Sequence, residues 1–162
     1  MSGQKPFTFD DVTMPRGVYP AWLDEKGRMK LPAVFQEYFA SIPDKKLFIT
    51  SLDRRTARIY VMSLWRRNEE MFENCHGRNL GEMQTMAFNA ADLGQESEMD
   101  AQGRILLSVE LRQELGIENS SVRLHAHKGH IEIYSETVYE EFKQRAVEAV
   151  DVLEDVEMEG LI

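Results

Sequence analysis

Residues 23–31 read LDEKGRMKL, and residues 99–107 read MDAQGRILL. The two stretches share Asp, Gly, Arg and Leu at a constant offset of 76 residues. Each favours a tight turn, because Asp can accept hydrogen bonds from its own downstream backbone and Gly tolerates a positive φ. Apolar residues flank both turns, so each stretch predicts a short β-hairpin.

The likeness between the two stretches continues downstream. Ile59-Tyr60 corresponds to Ile133-Tyr134, and residues 63–65 correspond to residues 137–139, at an offset of 74. We therefore interpret the chain as one unit present twice. Each unit contains a hairpin, a short helix, two strands and a second helix.

The pattern also predicts where these elements begin and end. Pro32 fits the first position of a helix, Ser108 can cap the equivalent helix and Gly116 can end it. Thr137 and Glu140 fit a capping box at the start of an extended last helix. The predicted strands are Lys46–Ser51, Ala57–Met62, Ser121–His127 and His130–Tyr134.

These elements predict an α+β fold of two tandem pseudo-symmetric β-hairpin/helix repeats, followed by an extended C-terminal helix. The expected divisions are a disordered extension at 1–13, a first repeat at 14–74, an inter-repeat segment at 75–95, a second repeat at 96–142 and an acidic helical tail at 143–162.

The charge of the chain is unevenly distributed. The 162 residues carry a net charge of −9, which by itself argues against a nucleic-acid partner. Residues 16–67, however, have eleven basic and five acidic residues, while residues 68–135 and 136–162 each sum to −7. The first repeat can therefore present a basic surface on an acidic protein.

Composition also excludes several classes of protein. The single cysteine, Cys75, excludes an intramolecular disulfide and suits a reducing compartment. No apolar run approaches the ~20 residues that cross a bilayer, and we expect no secretory signal because the N-terminal residues contain no apolar run of the kind such a signal needs. Neither paired carboxylates nor a nucleophile–base set stands out, so we expect no enzyme, cofactor or small-molecule substrate.

Several of these stretches resemble the MraZ family of bacterial transcriptional regulators. Residues 14–28, MPRGVYPAWLDEKGR, are similar to the family's opening, an Arg-Gly pair followed by Leu-Asp-x-Lys-Gly-Arg. The similarity continues through Phe48–Asp53, Arg58–Tyr60, Trp65, Glu98–Leu107 and Leu111-Arg112, and covers about residues 14–142.

The resemblance implies an AbrB/MazE-like swapped-hairpin barrel, assembly into a homo-oligomeric ring, and a cytoplasmic protein associated with the nucleoid. It implies binding to short direct repeats of double-stranded DNA in the promoter of the division and cell-wall gene cluster, through the DxKGR loops. The second loop departs from that motif, because Gln102 replaces its Lys and Ser108 stands where the first copy has Pro32.

The candidate residues have distinct expected roles. A two-stranded ribbon fits the major groove, where Arg can contact guanine bidentately and Lys can contact phosphate. The aspartates are interpreted as turn-formers that also orient the neighbouring arginine. The DNA-binding candidates are Lys26, Arg28, Lys30, Arg104, Gln102 and, more weakly, Arg16. The turn-forming residues are Asp24, Gly27, Asp100 and Gly103.

Other interpretations are weighed beside this one. An isolated Asp-x-x-Gly-Arg is more often a solvated turn, and the chain could instead be an antitoxin-like module that binds a protein through its acidic C-terminal helix. His125, His127 and His130 are interpreted as polar residues at a hairpin end, with no metal bound. Trp22 and Trp65 are assigned to core or subunit contacts in preference to base stacking.

Overall fold

Tight turns and hairpins divide the chain into short strands linked by helices. We describe a computed structural model, for residues 14–148 and 150–160. The strands are β1 Val18–Leu23, β2 Arg28–Lys30, β3 Leu47–Thr50, β4 Ala57–Val61, β5 Gln95–Ser97, β6 Arg104–Leu106, β7 Ser120–His127 and β8 His130–Ser135. The helices are α1 Ala33–Ser41, α2 Met62–Asn74, α3 Leu80–Leu93, α4 Val109–Leu115, α5 Glu136–Glu148 and α6 Val150–Met158. The disordered extension predicted at 1–13 lies outside the described residues.

The strands form one antiparallel sheet in the order β5-β3-β4-β8-β7-β1-β2-β6, which is curved into a nearly closed barrel. Each repeat pairs its first strand with the other repeat, because β1 pairs with β7 and β5 pairs with β3. The other strand pairs between the repeats are β2–β6 and β4–β8. The predicted swapped-hairpin barrel is confirmed.

A pseudo-twofold axis relates the two repeats. In the β2–β6 pair Met29 lies opposite Ile105, its own equivalent at the offset of 76. In the β4–β8 pair Arg58 lies opposite Glu132, its equivalent at the offset of 74. The axis therefore passes through both pairs, and the change of offset between them reflects the different lengths of the intervening segments.

The core follows the alternation of the strands. Leu23, Met29 and Ile105 are buried, so their strand neighbours point outward. Helix α1 contributes Phe35, Tyr38 and Phe39 to the same core, whereas its Val34 is exposed. A second cluster surrounds Trp65, whose indole stacks on Phe48 with ring centroids 4.7 Å apart.

The helix ends agree with the prediction for α4 and differ from it at the starts of α1 and α5. The Ser108 hydroxyl accepts a hydrogen bond from the Leu111 N–H, and Gly116 ends α4 in the left-handed region. Helix α1 begins at Ala33, so Pro32 precedes the helix. The predicted Thr137–Glu140 capping box is wrong, because α5 begins at Glu136 and the Ser135 hydroxyl, two residues before Thr137, accepts from the Val138 N–H.

The segment between the repeats and the tail are both helical. Helix α3 occupies most of the inter-repeat segment at 75–95, for which no helix was predicted, and Gly81 lies inside it. The Thr50 hydroxyl donates to the Ala90 carbonyl at 2.8 Å and so attaches α3 to the barrel. The predicted C-terminal helix is observed as α5 and α6, on either side of residue 149. Within the described residues no helix combines the length and apolarity that a membrane span requires.

Candidate nucleic-acid interface

The first turn, residues 24–28, is held together by one aspartate. Asp24 Oδ1 accepts hydrogen bonds from the backbone N–H groups of Lys26 and Arg28, both at 2.9 Å. Its second oxygen accepts from Arg28 Nε at 3.2 Å. The aspartate thus closes the turn and fixes the orientation of the arginine.

The second turn, residues 100–104, repeats this geometry. Asp100 Oδ1 accepts from the N–H groups of Gln102 and Arg104 at 2.9 Å, and Oδ2 accepts from Arg104 Nε at 2.9 Å. The two turns therefore have the same backbone and the same Asp–Arg contact, although only four of their residue types match between residues 23–31 and 99–107.

Hydrogen bonds lower the pKa of both aspartates. For Asp24 the largest cause is the backbone N–H of Arg28, and for Asp100 it is the backbone N–H of Arg104. Because these bonds favour the ionised carboxylate, both turns keep a negative charge beside the arginine at neutral pH. This charge holds the guanidinium in place and also offsets part of its attraction for phosphate.

Each turn glycine packs against a helix of the other repeat. Gly27 and Gly103 have φ of +84° and +77°, which favours glycine. A Cβ on Gly27 would lie 2.0 Å from Arg112 Nη1 in α4, and one on Gly103 would lie 2.3 Å from Gln36 Cδ in α1. Gln36 and Arg112 are equivalent at the offset of 76, so the close contacts are part of the swap.

Strand register places the candidate side chains on one outward surface. In the β2–β6 pair Arg28 lies opposite Leu106 and Lys30 lies opposite Arg104, while Met29 and Ile105 between them are buried. We call the surface formed by Arg28, Lys30, Arg104 and Leu106 the basic ribbon. Lys26 and Gln102 are exposed at the tips of the two turns beside the basic ribbon.

The two arginines of the basic ribbon differ in their free donors. Arg104 Nη2 donates to Gln102 Oε1 at 3.0 Å, in addition to its contact with Asp100. Lys26 occupies the position of Gln102 and has no acceptor atom, so the terminal nitrogens of Arg28 have no hydrogen-bond partner among the described residues. Arg28 therefore presents a freer guanidinium fork than Arg104.

The structure places the candidate Arg16 away from the other candidate residues, and it brings Arg112 and Trp22 close to the two turns. Arg16 is exposed before β1, at the end of that strand remote from the first turn. Arg112 is 6% exposed, and its Nε and Nη1 are buried without a hydrogen-bond partner in the described structure. Trp22 is 56% exposed on β1, so of its two predicted assignments, to the core or to subunit contacts, the assignment to the core is wrong. The sequence signal for the exposure of Trp22 was its position two residues before Asp24, in alternation with the buried Leu23.

The histidines contact each other and a carboxylate. The rings of His125 and His127 stack with centroids 5.4 Å apart, and His130 Nε2 lies 3.3 Å from Glu132 Oε1. Burial acts to raise the pKa of Glu132, but hydrogen bonds from His130 and Tyr134, together with the charge of Arg58, lower it to about 2. The described residues include no group of three or more His, Cys, Asp or Glu placed to hold a metal ion.

Cys75 and His76 make separate local contacts. The thiol of Cys75 donates to the Phe72 carbonyl at 3.1 Å, and Nδ1 of His76 lies 3.0 Å from the Asn74 carbonyl. Neither contact joins the two side chains into a nucleophile–base pair. Trp65, the second tryptophan, is 4% exposed and belongs to the core as expected.

The crossed strand pairing and the two matched turns define a swapped-hairpin barrel protein of the AbrB/MazE-like class. Residues 93–155 match a family model described as "MraZ protein, putative antitoxin-like". The Transcriptional regulator MraZ of Acidobacterium capsulatum is 34% identical over 131 residues, which cover 81% of this chain and 86% of that protein. The chain belongs to the MraZ family.

Other relatives carry the same name. The Transcriptional regulator MraZ of Koribacter versatilis is 33% identical over 102 residues, covering 62% of this chain and 68% of that protein. The Polaromonas sp. protein of that name is 28% identical over 144 residues, covering 88% of this chain and 98% of that protein. These relatives are named as regulators, a non-enzymatic class.

Proposed function

We propose that this protein is a sequence-specific, DNA-binding transcriptional regulator of MraZ type. It binds short repeats in the promoter of the division and cell-wall gene cluster, and it acts in the cytoplasm on nucleoid DNA. The observation that carries the proposal is the basic ribbon, which sets three cations on one outward surface between two identically folded turns. The names of the relatives support the same class.

Each candidate residue has a role that its geometry supports. A two-stranded ribbon fits the major groove, where the Arg28 and Arg104 forks can reach guanine O6 and N7. Their aspartate contacts fix each fork before DNA arrives, which lowers the entropic cost of ordering it. Lys26 and Lys30 contact phosphates and set the register of the protein on the duplex, with Gln102 at the second tip. Arg16, at the other end of β1, reaches only flanking phosphate.

A homo-oligomeric ring completes the proposal. One basic ribbon supplies few phosphate contacts, and the chain carries net negative charge elsewhere. Several subunits that bind together raise the effective concentration of each ribbon at the next site. Repeats spaced near one helical turn, about 10 base pairs, would present the same groove to successive subunits.

The test is a salt-titrated binding assay with the duplex upstream of the protein's own coding sequence, beside a scrambled duplex of equal composition. The Lys26→Ala, Arg28→Ala double variant should bind at least 100-fold more weakly, with a log–log salt slope lower by about one to two. Glu25→Ala, in the same exposed turn, is the matched control. Wild-type affinity in the double variant, with native mass unchanged, would reject the basic ribbon as the site.

A second candidate function rests on helix α6. Its exposed surface combines Val152, Leu153 and Met158 with acidic side chains, a pattern that suits docking to a basic protein groove. On this alternative the chain is an AbrB/MazE-like, antitoxin-like module that binds a protein partner through its acidic C-terminal helix. Deleting residues 143–162 separates the two, because DNA affinity should be retained or improved if the helix serves only a protein partner.

A further inference from the structure

The structure adds an exposed tryptophan to the basic ribbon. Leu23 lies opposite Met29 in the β1–β2 pair, so the register sets Trp22 opposite Lys30, which in turn lies opposite Arg104. Leu23, Met29 and Ile105 form the buried row beside them. Trp22, Lys30 and Arg104 therefore form one row on the outward surface, across three adjacent strands.

The other repeat lacks this aromatic group. At the offset of 76 the equivalents of Trp22 and Lys30 are Glu98 and Leu106, and the row is completed by Arg28. An acid and a leucine thus replace an indole and an ammonium group. The pseudo-twofold axis therefore relates two turns with the same backbone conformation, but the two rows of side chains that it relates differ in charge and in aromatic content.

The surroundings of Trp22 favour an anionic partner with apolar edges. On the other side of β1, Ser121 lies opposite Trp22, and its hydroxyl donates to Glu136 at 2.9 Å. Glu136 is also ion-paired with Arg123 at 3.1 Å, so its charge is balanced. An indole that is 56% exposed between Lys30 and a balanced ion pair is placed for a polyanion that offers it an apolar contact.

We propose that Trp22 is a specificity-determining residue, which contacts the 5-methyl group of thymine in the major groove beside the bases reached by Arg104. This inference rests on the proposed DNA-binding function. Thymine is the one base that presents a methyl group there, and apolar side chains recognise it. The asymmetry of the rows then gives the bound DNA a direction, with the methyl contact on the first-repeat side.

The experiment compares two forms of the upstream duplex, one with thymine and one with uracil throughout, which removes only the methyl groups. Wild-type protein should bind the thymine duplex about tenfold more tightly than the uracil duplex. Trp22→Ala should bind both equally, with an unchanged salt slope, since no phosphate contact is lost. Trp22→Phe, which keeps an aromatic ring, should retain part of the preference.

Two controls make the outcome specific. Phe88→Ala removes another exposed aromatic side chain, on α3, and should keep the thymine preference. Lys26→Ala, Arg28→Ala should lower affinity for both duplexes and lower the salt slope, while the ratio between duplexes stays near wild type. In a Trp65→Phe background, the fluorescence of Trp22 should change on addition of the thymine duplex.

Several results would overturn the proposal. A thymine preference that persists in Trp22→Ala would place the methyl contact elsewhere, and a changed native mass of that variant would assign Trp22 to a subunit interface. Equal binding of both duplexes by wild-type protein would remove the methyl contact but leave DNA binding intact. Failure of wild-type protein to prefer the upstream over the scrambled duplex would instead reject the proposed function.

Discussion

The first and second turns differ in charge but have the same backbone conformation. Asp24 and Asp100 make the same three contacts, and Gly27 and Gly103 have nearly the same φ. The side chains around that frame diverge, because the first turn has a lysine where the second has Gln102. The comparison teaches that the aspartate and glycine maintain the turn, while the remaining positions are free to determine what each turn binds.

The largest expected effect is on the glycines of the turns. Gly27→Ala should lower the free energy of unfolding by about 3 kcal/mol and Gly103→Ala by about 2 kcal/mol, because both positions have positive φ. The Gly27 variant is expected to be more severe since its Cβ would also lie 2.8 Å from the backbone oxygen of Leu107, whereas the three atoms nearest a Cβ on Gly103 all belong to the flexible side chain of Gln36. Urea denaturation measures both, with Gly116→Ala, whose Cβ meets open space, as a control for φ alone. Equal losses at Gly27 and Gly103 would contradict the ranking.

The second effect concerns the ion pair between Arg58 and Glu132, which lie opposite each other at the pseudo-twofold axis. The pKa of Glu132 is about 2 in the fold against an ordinary 4.5, so ionised Glu132 stabilises the fold above pH 4.5. That contribution is lost as pH falls from 4.5 towards 2. Glu132→Gln should therefore lower the free energy of unfolding by about 2 kcal/mol at pH 7, and the difference from wild type should vanish near pH 2. Urea denaturation across this pH range tests it, and a difference that is constant with pH would contradict it.

The third effect separates the two arginines. On the proposed function, Arg28→Ala should weaken binding of the upstream duplex about thirtyfold and relax discrimination at a guanine, because its fork is free to contact the base. Arg104→Ala should weaken binding only about fivefold, since Gln102 occupies one of its donors. Fluorescence anisotropy at fixed salt measures both. The reverse ranking would show that the Gln102 contact opens when DNA binds.

A smaller effect follows from making the second turn like the first. Gln102→Lys frees the Arg104 fork and adds a cation at the exposed tip. Affinity for the upstream duplex should rise about three- to tenfold, and the log–log salt slope should increase by about one. Gln102→Met, which frees the fork without adding charge, is the control for the electrostatic part. A gain with Met equal to that with Lys would assign the effect to the released arginine.

The smallest effect concerns Arg112 and Gln36, the helix residues that pack against the turn glycines. Arg112 and Gln36 are equivalent, but Gln36 Nε2 donates to the Leu31 carbonyl at 2.7 Å, whereas Arg112 has two buried nitrogens without a partner among the described residues. Arg112→Gln should raise the free energy of unfolding by about 0.5–1 kcal/mol, because it removes a buried charge and allows the contact seen at Gln36. Thermal unfolding measures it. A loss of stability would contradict the prediction and show that the buried Arg112 guanidinium stabilises the fold.

Much of the fold could be predicted because its determinants are local. The Asp-x-x-Gly-Arg turns, the Ser108 cap and the left-handed Gly116 each depend on residues within one turn of chain, and the predicted strands agree with β3, β4, β7 and β8 to within a residue or two. Helix α3 was missed because glycines at both ends and inside it interrupt the pattern, while its attachment through Thr50 to Ala90 joins residues forty positions apart.

The sequence by itself determined the duplication, the two turns and the charge of each repeat, since these are properties of neighbouring residues and of their spacing. Only the tertiary structure decided that β1 pairs with β7, that Arg112 lies behind Gly27, and that Trp22 is exposed beside Lys30 and Arg104. The physical reason is that strand pairing between repeats depends on which faces are buried together. Alternation along a single strand gives two faces and does not specify the neighbouring strand that each residue meets.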